Sequence, residues 1–134
     1  SWAVSSTARA VELTAQEPAI EFDVIDQLFD IEVTLRKGTA SKAVLRFGET
    51  VATYDFNTQM LDEMPLKMKD GEVTVRVLVD RPMYELIGGG GACYKTSARP
   101  DKGNAVGTIS LTAEGGSLTV PSFKVHEMAS IWKK

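Results

Sequence analysis

The sequence predicts an antiparallel two-sheet β-sandwich of the jelly-roll, concanavalin-like lectin or glucanase type, with about ten strands or more and essentially no helix. Three observations carry that prediction. Apolar and polar residues alternate with a period of two along most of the 134 residues. Turn-forming residues interrupt the alternation at short intervals, and no stretch sustains a 3.6-residue period. Short strands without helices must bury one face each against other strands, which leaves a sandwich or a barrel.

The elements justify themselves in order. Arg9–Leu13 is a weak strand, and Ile20, Phe22 and Val24 mark a stronger one. Phe29–Arg36 is the cleanest, with Phe29, Ile31, Val33 and Leu35 on one side and Asp30, Glu32, Thr34 and Arg36 on the other. A helix would smear these two sets around its circumference. Ala43–Phe47 and Val51–Phe56 follow, and Gln59–Met64 is expected to form at most one helical turn. Val73, Val75, Val77 and Val79 share a parity, then Met83–Ile87 and Cys93–Ser97 alternate more weakly. Ile109, Leu111 and Ala113 define the next strand. Leu118 and Val120 share one parity while Phe123 and Val125 have the other, so a bulge or kink is expected at Pro121-Ser122. Lys37-Gly38, Lys69–Glu72, Gly88–Gly91 and Glu114–Ser117 read as reversals. Gly115-Gly116 is the strongest hairpin signal among them.

Length allows one domain, residues 1–134, large enough for a real core. The 43% hydrophobic and 25% charged fractions are those of an ordinary globular chain. Fifteen Lys and Arg against 18 Asp and Glu give a net charge of −3, which argues against nucleic acid as a partner. No apolar run approaches the ~20 residues that span a bilayer, so no membrane partner is expected. Cys93 stands alone and cannot close an internal disulfide. The start Ser1-Trp2-Ala3 lacks both an initiator Met and a signal-peptide pattern. A removed leader or an excised piece of a longer chain is the expectation.

Most candidate chemistry is rejected on spacing. Gly88–Gly91 has Cys93 where a dinucleotide fingerprint needs glycine, and a strand where it needs a helix, so it reads as a wide hairpin. His126 is the only histidine and no second ligand lies at metal spacing, so neither metal nor cofactor is expected. Cys93 reads as a packing thiol. Asp62-Glu63, Asp80 with Glu85, and Glu12 with Glu17 are carboxylate pairs that nothing in the spacing singles out for glycosidase chemistry. Tyr54, Tyr84, Tyr94, Trp2 and Trp132 are the aromatics available for stacking on sugar rings.

One segment is more specific. Val79-Asp80-Arg81, a short spacer and Tyr84-Glu85-Leu86, followed by a Gly-rich turn and Ala92–Thr96, resembles the C-terminal β-sandwich module of family 32 glycoside hydrolases, the invertases, levanases and inulinases. Phe29–Leu35 and Val51–Phe56 are similar to two further strands of that module, and Val125–Trp132 is similar to its terminal strand. The resemblance runs from about Ala8 to Trp132. Two departures, Phe56–Leu61 without a second Asp-Arg pair and Pro82 in place of a small polar residue, mark a divergent member.

The resemblance implies a role without catalysis. The family's chemistry belongs to a five-bladed propeller with Asn-Asp-Pro, Arg-Asp-Pro and Glu-Cys motifs, and this chain contains none of them. The expectation is a non-catalytic module of a fructan- or sucrose-hydrolysing glycosidase that packs against and stabilises the propeller of the same polypeptide. The alternative is a lectin-like carbohydrate-binding module holding fructan or oligosaccharide, with Tyr54, Tyr84 and Trp132 as platforms. Asp80, Arg81 and Glu85 are expected to do structural work. Ile25, Leu28, Met60, Leu61, Met64 and Leu78 are the interface candidates, chosen because they violate the alternation or sit in the irregular stretch. The resemblance favours a secreted or periplasmic location.

Overall fold

The computed structural model describes residues 3–13, 19–24, 28–80, 82–100 and 107–128, with side chains described within 28–80, 82–100 and 108–126. Alternation becomes two antiparallel sheets. In chain order the strands are β1 (Ala3–Leu13), β2 (Ala19–Val24), β3 (Leu28–Lys37), β4 (Lys42–Phe47), β5 (Thr50–Asp55), β6 (Met60–Leu61), β7 (Met64–Pro65), β8 (Glu72–Asp80), β9 (Met83–Gly88), β10 (Cys93–Ala98), β11 (Gly107–Glu114) and β12 (Leu118–Met128). The first sheet runs β1-β12-β3-β8-β9-β10 and the second β2-β11-β4-β5-β6-β7. No helix occurs among the described residues.

The core is what the period-two pattern requires. Phe29, Ile31, Val33 and Leu35 of β3 and Val73, Val75, Val77 and Val79 of β8 are all buried. They meet Leu45, Phe47, Ile109 and Leu111 from the second sheet in one continuous cluster. Burial of each such side chain is worth roughly 1.5–3 kcal/mol, the main favourable term of a fold this size. Phe47 of the second sheet and Tyr84 of the first meet edge-on at 5.4 Å between ring centroids, one of the contacts that join the two sheets. Tyr54 packs edge-on against Phe56 at 5.2 Å and donates its hydroxyl to the Leu66 carbonyl. Desolvation by burial pushes the Tyr54 phenol up to about 12.

The expected bulge is present. The β12 register slips against β3 between Thr119 and Ser122, and β1 slips opposite it between Arg9 and Val11. That slip lets Leu118, Val120, Phe123 and Val125 all reach the core despite their opposite parities. Pro121, which has no N–H to donate, falls in the gap.

Two expectations are corrected. Gly115-Gly116 does not close a hairpin, because β11 pairs with β2 and β4 while β12 pairs with β1 and β3. The glycines form an arch that carries the chain from one sheet to the other. This arch lies against the β3–β4 arch, with Ala40 N–H donating to Ser117 O and Ser41 N–H to Glu114 O, each at 2.8 Å. A Cβ on Gly116 would stand 2.6 Å from the Thr39 carbonyl, so close contact between arches selects glycine. Local turn chemistry reveals a reversal but not which sheet the chain rejoins.

Nor does Gln59–Met64 make a helical turn. β6 and β7 form a minimal hairpin instead, with Gln59 and Asp62 at positive φ. Asp62 accepts from Thr53 N–H at 2.8 Å through Oδ1, and Gln59 accepts from Met68 N–H at 2.8 Å through Oε1. These polar side chains tie the hairpin to backbone N–H groups of the flanking segments, at Thr53 before it and Met68 after it.

Candidate functional site

The outward face of the first sheet brings charged, polar and aromatic side chains together around a depression. Antiparallel pairing sets its rows. Lys124, Glu32, Arg76, Ile87 and Tyr94 are successive partners across β12, β3, β8, β9 and β10. His126, Asp30, Leu78, Glu85 and Thr96 form the next row, and Leu28, Asp80, Met83 and Ala98 the one after. Because side chains alternate between faces, every member of these rows points away from the core.

The two ends of this face differ. Towards the β9–β10 turn, Glu32, Thr74, Arg76, Glu85, Ile87 and Tyr94 line a depression of about 420 Å³ that Gly90 and Gly91 close at one end. Volumes of ~300–1,000 Å³ are typical of small-molecule sites. Tyr94 is 65% exposed at its rim. Gly90 and Gly91 have φ of 71° and 116°, and a Cβ on either would meet nothing within 4 Å. Glycine is therefore demanded here by backbone conformation and not by crowding. Gly89 N–H donates to Thr74 O at 2.8 Å and ties this turn to β8.

Arg76 is held in place. Its Nε and Nη2 donate to Asp30 Oδ1 and Oδ2 at 3.0 and 2.6 Å, a bidentate pair. The Asp30 hydrogen bonds keep the guanidinium pKa above its ordinary value. Of five N–H donors on an arginine, Asp30 engages two, and Arg76 lines the groove together with Glu32 and Glu85.

At the β8–β9 turn the same face is apolar. Leu28 and Met83 flank Asp80 in one row and Leu78 lies diagonally beside both. Met83 is 41% exposed, while Leu28 and Leu78 are half-buried.

The open edge beside the groove is pinned. Lys95 of β10 reaches across to the β6–β7 hairpin of the other sheet and contacts Asp62 at 3.0 Å and Glu63 at 2.9 Å. Burial opposes the lysine's charge, but hydrogen bonds to Glu63 and Asp62 outweigh it and raise its pKa. The Lys95 hydrogen bond in turn holds Glu63 below the usual carboxylate range. Asp62 and Glu63 are thus engaged by a cation and are not an acid–base couple. Cys93 packs against the core, and desolvation raises its thiol pKa. Among the described residues no group of three metal-ligating side chains is present.

Several predicted site residues are corrected. Tyr54 and Tyr84 are 1% and 7% exposed, so both are core rings and neither offers a face to a sugar. Trp132, Arg81 and Ile25 lie outside the described residues. Leu61 is a core residue at 1% exposure and not an interface residue, whereas Met60 and Met64 are half-buried, Met64 against the core. Leu28 and Leu78 do lie on the outward face, with exposed Asp80 and half-buried Glu85 beside them. Tyr94 is the aromatic that sequence reasoning passed over. Parity contains the signal: Tyr84 shares the inward parity of Leu86, and hairpin pairing across the glycine turn sets Tyr94 opposite outward Ile87.

The two six-stranded antiparallel sheets define the class of the chain, a β-sandwich module. Residues 5–127 match the family described as Glycosyl hydrolases family 32 C terminal. The chain belongs to that family. A levanase of Bacillus sp. (strain L7) is 32% identical over 75 residues, which are 55% of this chain and 8% of the levanase. The exo-inulinase of Aspergillus awamori superposes with a TM-score of 0.73 at 21% identity, over 97% of this chain and 30% of its own. The β-fructofuranosidase of Schwanniomyces occidentalis, solved with fructosyl-erythritol, gives 0.78 at 13% identity, over 96% of this chain and 34% of its own. The chain therefore spans about a third or less of the length of these relatives.

Proposed function

We propose that this chain is the non-catalytic C-terminal module of a longer glycosidase acting on fructans or sucrose, and that it packs against the catalytic propeller of the same polypeptide. The observation that carries this is the family match across residues 5–127 joined to the small share of each relative that the chain covers. The three propeller motifs are absent from the sequence, which supports a role in stability and not in bond cleavage. The apolar patch of Leu28, Leu78 and Met83 is the part of the described surface suited to that contact. Its acidic neighbour Asp80 suits a propeller surface that carries Lys or Arg. Interfaces between domains of one chain bury ~600–1,500 Å² and are part polar, as this patch with its rim is. Pre-formed strands lose little entropy on docking.

The test is thermal inactivation of the parent glycosidase with and without this module. Removal should shorten the half-life of fructose release at elevated temperature, and Leu78→Asp in the intact parent should reproduce part of that loss. The isolated chain should release no fructose from sucrose or levan. Equal half-lives with and without the module, or hydrolysis by the chain alone, would overturn the reading.

A second reading, that the module also holds carbohydrate, is favoured by one observation: an exposed Tyr94 over a groove of ligand size. Fructosylnystose, bound in a structure of the Schwanniomyces occidentalis fructofuranosidase, supplies a suitable probe.

A further inference from the structure

We infer that the depression beneath the β9–β10 glycine turn is the binding site for a neutral oligosaccharide, with Tyr94 as the stacking platform and Arg76 as the fixed hydrogen-bond donor. This rests on the carbohydrate-binding reading and gives it a location. The volume, about 420 Å³, accommodates a short oligosaccharide end and not a folded partner. The chemistry suits hydroxyl groups, which donate and accept at once. Arg76 donates, Glu32 and Glu85 accept, and Thr74 does both. An apolar strip made by Ile87 and the Tyr94 ring faces the same space, matching the C–H face of a sugar ring.

Charge separates this ligand from others. Asp30 already neutralises Arg76 through two hydrogen bonds, and Glu32 and Glu85 add negative charge, so the site does not call for an anion. Asp30 also fixes the guanidinium plane before any ligand arrives, which removes an ordering cost from binding. At the edge of the groove, the Lys95 contacts with Asp62 and Glu63 hold β10, and hence Tyr94, against the body of the sandwich. The depression on the far side of the glycine turn, lined by Lys67, Lys69, Asp70 and Glu72, has no aromatic platform. The outward side of the second sheet presents Thr108, Thr112, Lys42 and Arg46, and among its described side chains the large exposed apolar one is Val51.

The experiment is titration of the chain with fructosylnystose, followed by backbone amide NMR shifts, for the wild type and for Tyr94→Ala, Arg76→Ala and Met83→Ala. Wild-type shifts should cluster at residues 74–76, 85–87 and 90–94. Tyr94→Ala and Arg76→Ala should each weaken binding by about tenfold or more, and Met83→Ala by less than about twofold. Circular dichroism should show all three variants folded. If sugar binds but Tyr94→Ala binds as the wild type does, the site is elsewhere and this inference fails while the carbohydrate reading stands. If saturating millimolar sugar shifts no amide of the wild type, both fail.

Discussion

The two ends of the outward face of the first sheet share β3, β8 and β9, the groove end adding Tyr94 of β10, and they differ in what their side chains can meet. At the β9–β10 end, a bidentate Arg76–Asp30 pair, two further carboxylates and an exposed tyrosine surround a depression. At the β8–β9 end, Leu28, Leu78 and Met83 surround a single exposed Asp80. One end offers directional groups around an empty space, which suits a small polar ligand. The other offers nearly flat apolar area, which suits another protein surface. A single sheet face can therefore serve a ligand and a neighbouring domain side by side, because the period of two repeats the backbone but leaves each outward position free to vary.

Substitution at Gly88 should break the groove end most severely. A Cβ there would lie 2.5 Å from Leu66 Cδ2, 2.9 Å from Cys93 Sγ and 3.1 Å from Leu61 Cδ2, all in packed surroundings. Gly88→Val is expected to cost about 1–3 kcal/mol, read as a lower midpoint in urea unfolding. Leu78→Asp should have a smaller effect on the isolated chain, about 1 kcal/mol or less, because the side chain is only half-buried. The same substitution should shorten the life of the intact parent more than it lowers the stability of the module. Equal effects in both would remove the distinction between the two ends.

Asp30→Asn should change stability less again. The Arg76 side chain is 46% exposed and that of Asp30 19%, so screening limits the pair to about 0–1 kcal/mol, and less in salt. Its consequence should appear in sugar affinity, because Asn offers the guanidinium one acceptor in place of two.

The smallest expected effect is acid sensitivity at the pinned edge. Glu63 is held below the usual carboxylate range by Lys95, and Asp55 by backbone N–H groups of Thr58 and Asn57. A folded pKa below the unfolded one contributes stability that is present above the unfolded value, about 4, and is lost as pH falls through the folded value. Lys95→Met should reduce the Glu63 share of that loss and leave the Asp55 share, as followed by urea midpoints between pH 6 and 2.

How much of this was legible in the sequence depends on what each residue answers to. Phe29, Ile31, Val33 and Leu35 answer to burial, so alternation alone located β3 and its inward side. The bulge at Pro121-Ser122 was equally legible, because a parity change and a missing N–H coincide there. Gly115-Gly116 was misleading as a hairpin, since sheet choice is decided by packing between arches that lie far apart in sequence. Tyr54 and Tyr84 were misjudged as platforms for a related reason. An aromatic ring on a strand is core or surface according to which side its strand turns inward, and β5 and β9 turn those two rings in. The Arg76–Asp30 pair was illegible, because it joins β8 to β3 through a register that only the folded sheet fixes.

The account is tested most directly by hydroxyl-radical footprinting of the chain alone and of the same residues within the parent glycosidase. It predicts that Met83 and Leu78 lose labelling in the parent while Tyr94 is labelled equally in both. Full labelling of Met83 in the parent, or loss of labelling at Tyr94 together with it, would contradict the division of this face into a docking end and a ligand end.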